Sequence, residues 1–375
     1  MGRFAEARAW VRCFATKSGS DGLEESVAKL FEGMPLSSST SSFGGAGGEE
    51  GGGVAGEPTS HHPVVIIGSG PAAHSAAVYC TRAELEPVVF EGFMAEGIAA
   101  GGQLTTTTHV ENFLGHVSIQ GPELCEEFRK QSIACGATIF TETVEDIQFD
   151  KSPFILSSAT GRTVSASAII IATGATARRL DFPGAEKFWM KGISACAVCD
   201  GALPIFRNKP LVVIGGGDSA CEEALYLTKF ASQVSMVVRR NELRASATMA
   251  RRAKNHPQIN ILFEEEVVFA DGEAQLESVV LRSSRTGEER IQEASGLFFA
   301  IGHDPATRLL QGSVSLDDDG YVLVEPGSTR TSMEGVFAAG DCADKVYRQA
   351  ITAAGSGCMA ALDAERWLGE MEESS

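Results

Sequence analysis

The chain has 375 residues, 43% of them apolar, and a formal net charge of −18. That length fits about two domains plus an extension, no apolar run approaches the ~18 residues of a membrane helix, and no basic stripe with interleaved aromatics offers a nucleic-acid footprint, so neither a membrane nor nucleic acid is expected as partner. Nine scattered cysteines and an N-terminus without a signal-peptide core do not fit a secreted disulfide scaffold.

Residues 1–17 set Arg3, Arg8, Arg12 and Lys17 against one acid, Glu6, with Phe4, Trp10, Val11 and Phe14 between them. Basic amphipathic stretches of this kind act as organelle presequences, and Arg12-Cys13-Phe14-Ala15 has the form of a processing site cut after Phe14. A mitochondrial or other organelle location is expected, a cytoplasmic protein with an ordinary tail being the alternative. Residues 18–62 are rich in glycine and serine and read as disordered linker, with a short helix over 23–32 and with His61 and His62 at its end. Residues 1–62 are thus an extension, and the fold begins near His62.

Pro63-Val64-Val65-Ile66-Ile67 has the length of a strand and runs into Gly68-Ser69-Gly70-Pro71-Ala72-Ala73, after which small residues continue as a helix. Val88-Val89-Phe90 is the next strand, and Glu91, 21 residues beyond Gly70, ends it. Gly68 permits the tight turn, Gly70 lets the backbone approach a pyrophosphate, and Ala73 lets the helix pack on the sheet. Free N–H groups at the helix start suit phosphates, and Glu91 is placed to bind a ribose. The acid favours FAD or NAD over a phosphorylated ribose.

A second unit repeats the pattern. Leu211 to Ile214 is a strand, Gly215-Gly216-Gly217-Asp218-Ser219-Ala220 follows, and Val234 to Val238 ends in Arg239-Arg240, with Arg244 close behind. Arginines there pair with a 2′-phosphate that a carboxylate would repel, so this site is expected to prefer NADPH.

Between the two units lies Cys196-Ala197-Val198-Cys199-Asp200. Two intervening residues allow a disulfide whose thiolate form attacks other disulfides, and Asp200 is placed to give or take a proton. A structural zinc site needs about four ligands and no second pair exists, so no metal is expected. Zinc and inert core cysteines remain as the alternatives.

Taken together these segments resemble the low-molecular-weight thioredoxin reductases. So do Gly101-Gly102-Gln103-Leu104-Thr105-Thr106-Thr107-Thr108, Val110-Glu111-Asn112-Phe113, Phe299-Ala300-Ile301-Gly302-His303, Gly335 to Asp341 and Tyr347 to Gly355. The resemblance covers about residues 63–368. It implies an α/β fold of two Rossmann-like domains, with an NADPH domain (180–299) inserted into a discontinuous FAD domain (63–179 and 300–375). FAD would be held by Gly68, Ser69, Gly70, Pro71, Ala72, Glu91, Gly102, Gln103, Leu104, Asn112, Val144, Gly174, Gly340, Asp341, Arg348, Gln349 and Ala350. NADPH would be held by Gly215, Gly217, Asp218, Ser219, Ala220, Arg239, Arg240 and Arg244. The resemblance further implies thioredoxin as substrate, a homodimer, Cys199 as the cysteine nearer the flavin, and a domain swing about hinges near 178–183 and 298–303. Departures include Leu114 and His116 in the Glu-Asn-Phe segment, Val238 before the arginine pair, and Cys342 after Gly340-Asp341.

Overall fold

The structure, a computed structural model, describes residues 58–93, 99–310 and 312–373. The basic stretch 1–17 and the helix read at 23–32 lie outside the described residues. Along the chain come β1 (His61–Ile67), α1 (Pro71–Arg82), β2 (Val88–Phe90), α2 (Gly121–Cys135), β3 (Thr138–Phe140), β4 (Val144–Gln148), β5 (Phe154–Ser158) and β6 (Thr163–Ile171). Next are β7 (Ala175–Ala177), β8 (Ile193–Ser194), the single turn α3 (Ala197–Asp200), β9 (Pro210–Ile214), α4 (Asp218–Leu227), β10 (Gln233–Val238), α5 (Ala247–Lys254) and β11 (Ile259–Phe263). Strands β12 (Glu265–Asp271), β13 (Ser278–Ser283), β14 (Glu289–Glu293), β15 (Gly296–Phe299), β16 (His303–Pro305) and β17 (Val336–Ala338) follow, and α6 (Ala350–Glu373) ends the described chain.

The first sheet has the order β3-β2-β1-β6-β5-β4, with β17 also on β6. Strand β1 is parallel to both β2 and β6, and β6 to β17, whereas β4, β5 and β6 are antiparallel. The Val64–Ile67 run is buried throughout, as expected of a parallel strand covered on both faces. His61 and His62 belong to this strand and not to the linker assigned from sequence: His61 pairs in register with Ser165, and Thr59 already donates to the Thr163 carbonyl.

One face of this sheet is covered by α1 and α6, which meet through Ala72, Ala73, Ala76, Ala360, Ala361 and Ala364. Small side chains let the two backbones approach closely. At Gly357 a Cβ would fall 2.1 Å from the Ala72 carbonyl oxygen. Val65, Ile67, Ile169 and Ile171 pack on the opposite face.

The second sheet, β11-β10-β9-β15-β8, is parallel throughout. All its strands lie within 193–299, so in chain order it is inserted into the first sheet. The antiparallel β12-β13-β14 meander shares a core with it through Val267, Val279 and Leu281. The chain crosses between the sheets twice, and the crossings pair as an antiparallel ribbon, β7 against β16. Arg178, just beyond β7, clasps Asp304 of β16 at 2.6 and 2.7 Å.

Both sheets make their glycine turn in the same way. A Cβ on Gly68 would sit 2.1 Å from the Ala172 carbonyl oxygen, and one on Gly215 would sit 2.3 Å from that of Ala300. Each glycine also has a positive φ, 135° and 146°, which side-chain-bearing residues rarely adopt. In each sheet the neighbouring strand thus presses its last carbonyl against the turn that follows the central strand.

Gly357→Ala tests the α1–α6 contact without touching either turn. Overpacking there is expected to lower stability by about 1–3 kcal/mol, read from the urea midpoint.

Candidate functional site

A cavity of about 1070 Å3 opens at the C-terminal end of β1, where open α/β sheets bind ligands. Gly68, Ser69, Gly70, Pro71 and Ala72 form its floor. Ser69 Oγ accepts the Gly101 amide at 2.8 Å, which seats the Gly102–Thr106 turn and brings Gly102, Gln103 and Leu104 to the wall. Asn112, Val144 and Gly174 line the rim, and Gly340, Asp341, Arg348, Gln349 and Ala350 close the far side. Asp344 builds that closure: its carboxylate accepts the amides of Val346, Tyr347 and Arg348 at 2.9, 2.9 and 3.2 Å. Arg348 is held there at φ 48°, a strained conformation of the kind found at ligand sites.

The donor set fits a dinucleotide. Asp341 Oδ1 is buried without a partner. Burial and the charge of Asp344 push its carboxyl up to about 7, against the pull of Arg348. A buried oxygen left unpaired is costly unless a bound group completes it.

Glu91 lines the same cavity, but its carboxylate is already engaged. Arg129 grips both oxygens, Nε at 2.8 Å and a terminal nitrogen at 3.2 Å, and Thr141 Oγ1 donates at 2.5 Å. Burial alone would raise its pKa; the hydrogen bonds from Arg129 and Thr141, with the guanidinium charge, bring it below the usual carboxylate range. Any ribose contact would therefore add to an occupied carboxylate.

A disulfide borders this cavity. Cys196 and Cys199 form a disulfide with a Cα–Cα distance of 5.3 Å. Cys199, the more exposed, has its Sγ 3.9 Å from Gln349 Oε1, which also accepts Asn112 Nδ2 at 3.2 Å. Asp200 is buried beneath the pair. Ser194 Oγ donates to it at 2.5 Å and accepts the Cys196 amide at 3.1 Å. Burial raises the Asp200 pKa, with the Ser194 hydrogen bond opposing.

The second glycine motif meets this cavity on one helix face only, through Ser219, Glu222, Glu223 and Tyr226. Gly215, Gly217, Asp218 and Ala220 lie outside it. Asp218 instead accepts the Ser246 amide and hydroxyl at 3.0 and 2.8 Å, tying α4 to the start of α5. Arg239 and Arg240 are exposed at the end of β10, and exposed Arg244 donates its amide to the Gly216 carbonyl at 2.7 Å. The arginines thus stand by the second motif, away from the disulfide cavity.

Sequence reasoning missed Glu222, Glu223, Tyr226 and His303. The first three lie three, four and seven residues beyond Ser219, one helix face by spacing alone. His303 is half-buried in the cavity wall with Nδ1 unpartnered; burial and the charges of Arg348 and Arg178 push its pKa down to about 4.

The pyridine nucleotide-disulphide oxidoreductase family profile matches residues 62–357. A thioredoxin reductase of Yarrowia lipolytica is 56% identical over 317 residues, covering 83% of this chain and 99% of that protein. The chain belongs to the thioredoxin reductases. A mitochondrial thioredoxin reductase of Arabidopsis thaliana is 57% identical over 314 residues, 82% of this chain and 84% of its own length. The solved thioredoxin reductase of Giardia duodenalis superposes with a TM-score of 0.79 at 45% identity, covering 83% of this chain and all of that one. The family is enzymatic, and its fold of parallel sheets with nucleotide-type glycine turns is the one described above.

Arg129→Met would leave the buried Glu91 carboxylate unpaired, at a cost of roughly 3 kcal/mol at neutral pH. The Glu91 pKa is depressed in the fold, so the pair's contribution is present above the usual carboxylate range and fades as pH falls through it. Urea unfolding across the acid range should show the gap between wild type and variant narrowing.

Proposed function

We propose that this chain passes electrons from NADPH through FAD and the Cys196–Cys199 disulfide to thioredoxin. The observation that carries this reading is the disulfide standing in the wall of a dinucleotide-sized cavity, with the buried acid Asp200 beneath it. A bound flavin supplies the chemistry that accepts a hydride from a reduced nicotinamide and returns an electron pair to a disulfide.

Gly68 to Ala72 would hold the FAD phosphates, Asp341 the sugar-phosphate region, and Arg348-Gln349-Ala350 the ring system. Cys199, beside Gln349, would be the sulfur nearer the flavin. When the pair is reduced, the S–S bond breaks, and two electrons with one proton leave a thiol and a thiolate. Asp200, held by Ser194, is placed to carry that proton. The thiolate then attacks the thioredoxin disulfide, and the second cysteine resolves the mixed disulfide.

The division into an FAD domain (63–179 and 300–375) and an inserted NADPH domain (180–299) follows the two sheets. A hinge near 178–183 and 298–303, next to the paired β7–β16 crossing, would let the disulfide and a nicotinamide take turns at a bound flavin. Arg239, Arg240 and Arg244 would select the 2′-phosphate of NADPH. Exposed apolar residues on α1 and α6, among them Tyr79, Ile351 and Met359, suit a homodimer. The basic stretch 1–17, together with the mitochondrial Arabidopsis relative, supports import into mitochondria.

Anaerobic titration with NADPH, followed by flavin absorbance, tests the route. Wild type should take up one electron pair for FAD and one for the disulfide; Cys196→Ser should take up only the first. Failure of NADPH to bleach the flavin in both proteins would remove NADPH as donor. Replacing Arg239 and Arg240 by Ala together should cut the preference for NADPH over NADH by roughly 10- to 100-fold, measured as the ratio of kcat/KM values.

A further inference from the structure

Glu223 has no part in the electron route, yet it lines the same cavity as the redox turn. It sits on α4, against α3. Its Oε2 is buried and meets no partner, and the backbone amide of Ala197, the residue after Cys196, is within hydrogen-bonding reach of its carboxyl. It shares the cavity wall with both cysteines.

The charged and titratable groups around it are few. Glu222 precedes it on α4, Asp200 closes α3, Arg348 approaches from the segment before α6, and Asp341, His303 and Tyr226 line the same cavity. Among the groups acting on it, only Arg348 offers positive charge, and Glu222 opposes it.

A carboxylate here would be a second negative charge beside the place where a cysteine thiolate must form. Like charges at short range disfavour one another's ionised forms. A neutral carboxyl avoids this, and its carbonyl oxygen still serves the Ala197 amide. Burial pushes the Glu223 pKa up to about 8, against the hydrogen bond from Ala197 and the charge of Arg348.

We propose that Glu223 is a positioning residue for the redox pair, seating the Cys196–Cys199 turn through the Ala197 amide as a neutral carboxyl and adding no charge where the thiolate forms. The inference rests on the redox role of that pair. Two ionisations are linked: a cysteine S–H loses its proton to solvent to give the thiolate, and the Glu223 O–H loses its own to solvent. Because each anion disfavours the other, thiolate formation keeps Glu223 protonated, and ionisation of Glu223 raises the thiol pKa.

The test uses full-length protein reduced with dithiothreitol, with iodoacetamide alkylation of Cys196 and Cys199 followed by peptide mass spectrometry across pH. Wild type should give a broadened profile with an inflection near pH 8. Glu223→Gln, which keeps an oxygen for the Ala197 amide but cannot ionise, should follow a single-group titration. Glu223→Met, suited to a buried site and equally unable to ionise, should likewise lack the inflection and serves should the amide variant not fold. Superimposable profiles for wild type and either variant would overturn the proposal. The assay does not depend on NADPH, so failure of the electron route leaves this result standing, and the reverse also holds.

Discussion

The turn that carries the disulfide depends on one buried hydrogen bond, from Ser194 to Asp200. Ser194 ends the edge strand β8, and Asp200 ends the turn that carries both cysteines. The serine hydroxyl donates to the carboxylate and accepts the Cys196 amide, while the Asp200 carbonyl accepts the Leu203 amide. A four-residue helical turn cannot hold its own geometry in water. Here it is fixed at both ends to a strand of the parallel sheet, so the sulfurs sit on a rigid element although Val198 and Cys199 are exposed.

Electrostatics inside the cavity run against those of the whole chain. The protein carries a net charge of −18, yet Asp200, Glu223 and Asp341 all have raised pKa values because burial disfavours their ionised forms. Glu91, the acid held ionised, is cancelled by Arg129. Phosphates and thiolates are anions, and a wall of free carboxylates would repel them. Asp200, Glu223 and Asp341 are shifted toward the neutral form, and Glu91 is paired.

Much of this was legible in the sequence. Apolar strand runs before each glycine motif marked the two sheets, since a parallel strand covered on both faces must be apolar throughout. The Cys-x-x-Cys spacing marked the two cysteines that form the disulfide. What could not be read was long-range. Nothing near Glu91 announces that Arg129, on a helix 38 residues away, closes over it. Nor does local pattern show that Asp218 reaches Ser246, 28 residues away. Glu222, Glu223 and Tyr226 were within reach of helical spacing; only the fold shows that their face meets the disulfide.

The paired contacts of Gly68 with Ala172 and of Gly215 with Ala300 carry a consequence for how such a molecule can change over generations. The same backbone grip is made twice, and in neither case does it involve the charged residue just beyond the following strand, Glu91 in one unit and Arg239 in the other. The turn and the charge beyond the next strand are therefore separable: either charge can change without loosening the backbone grip beside it.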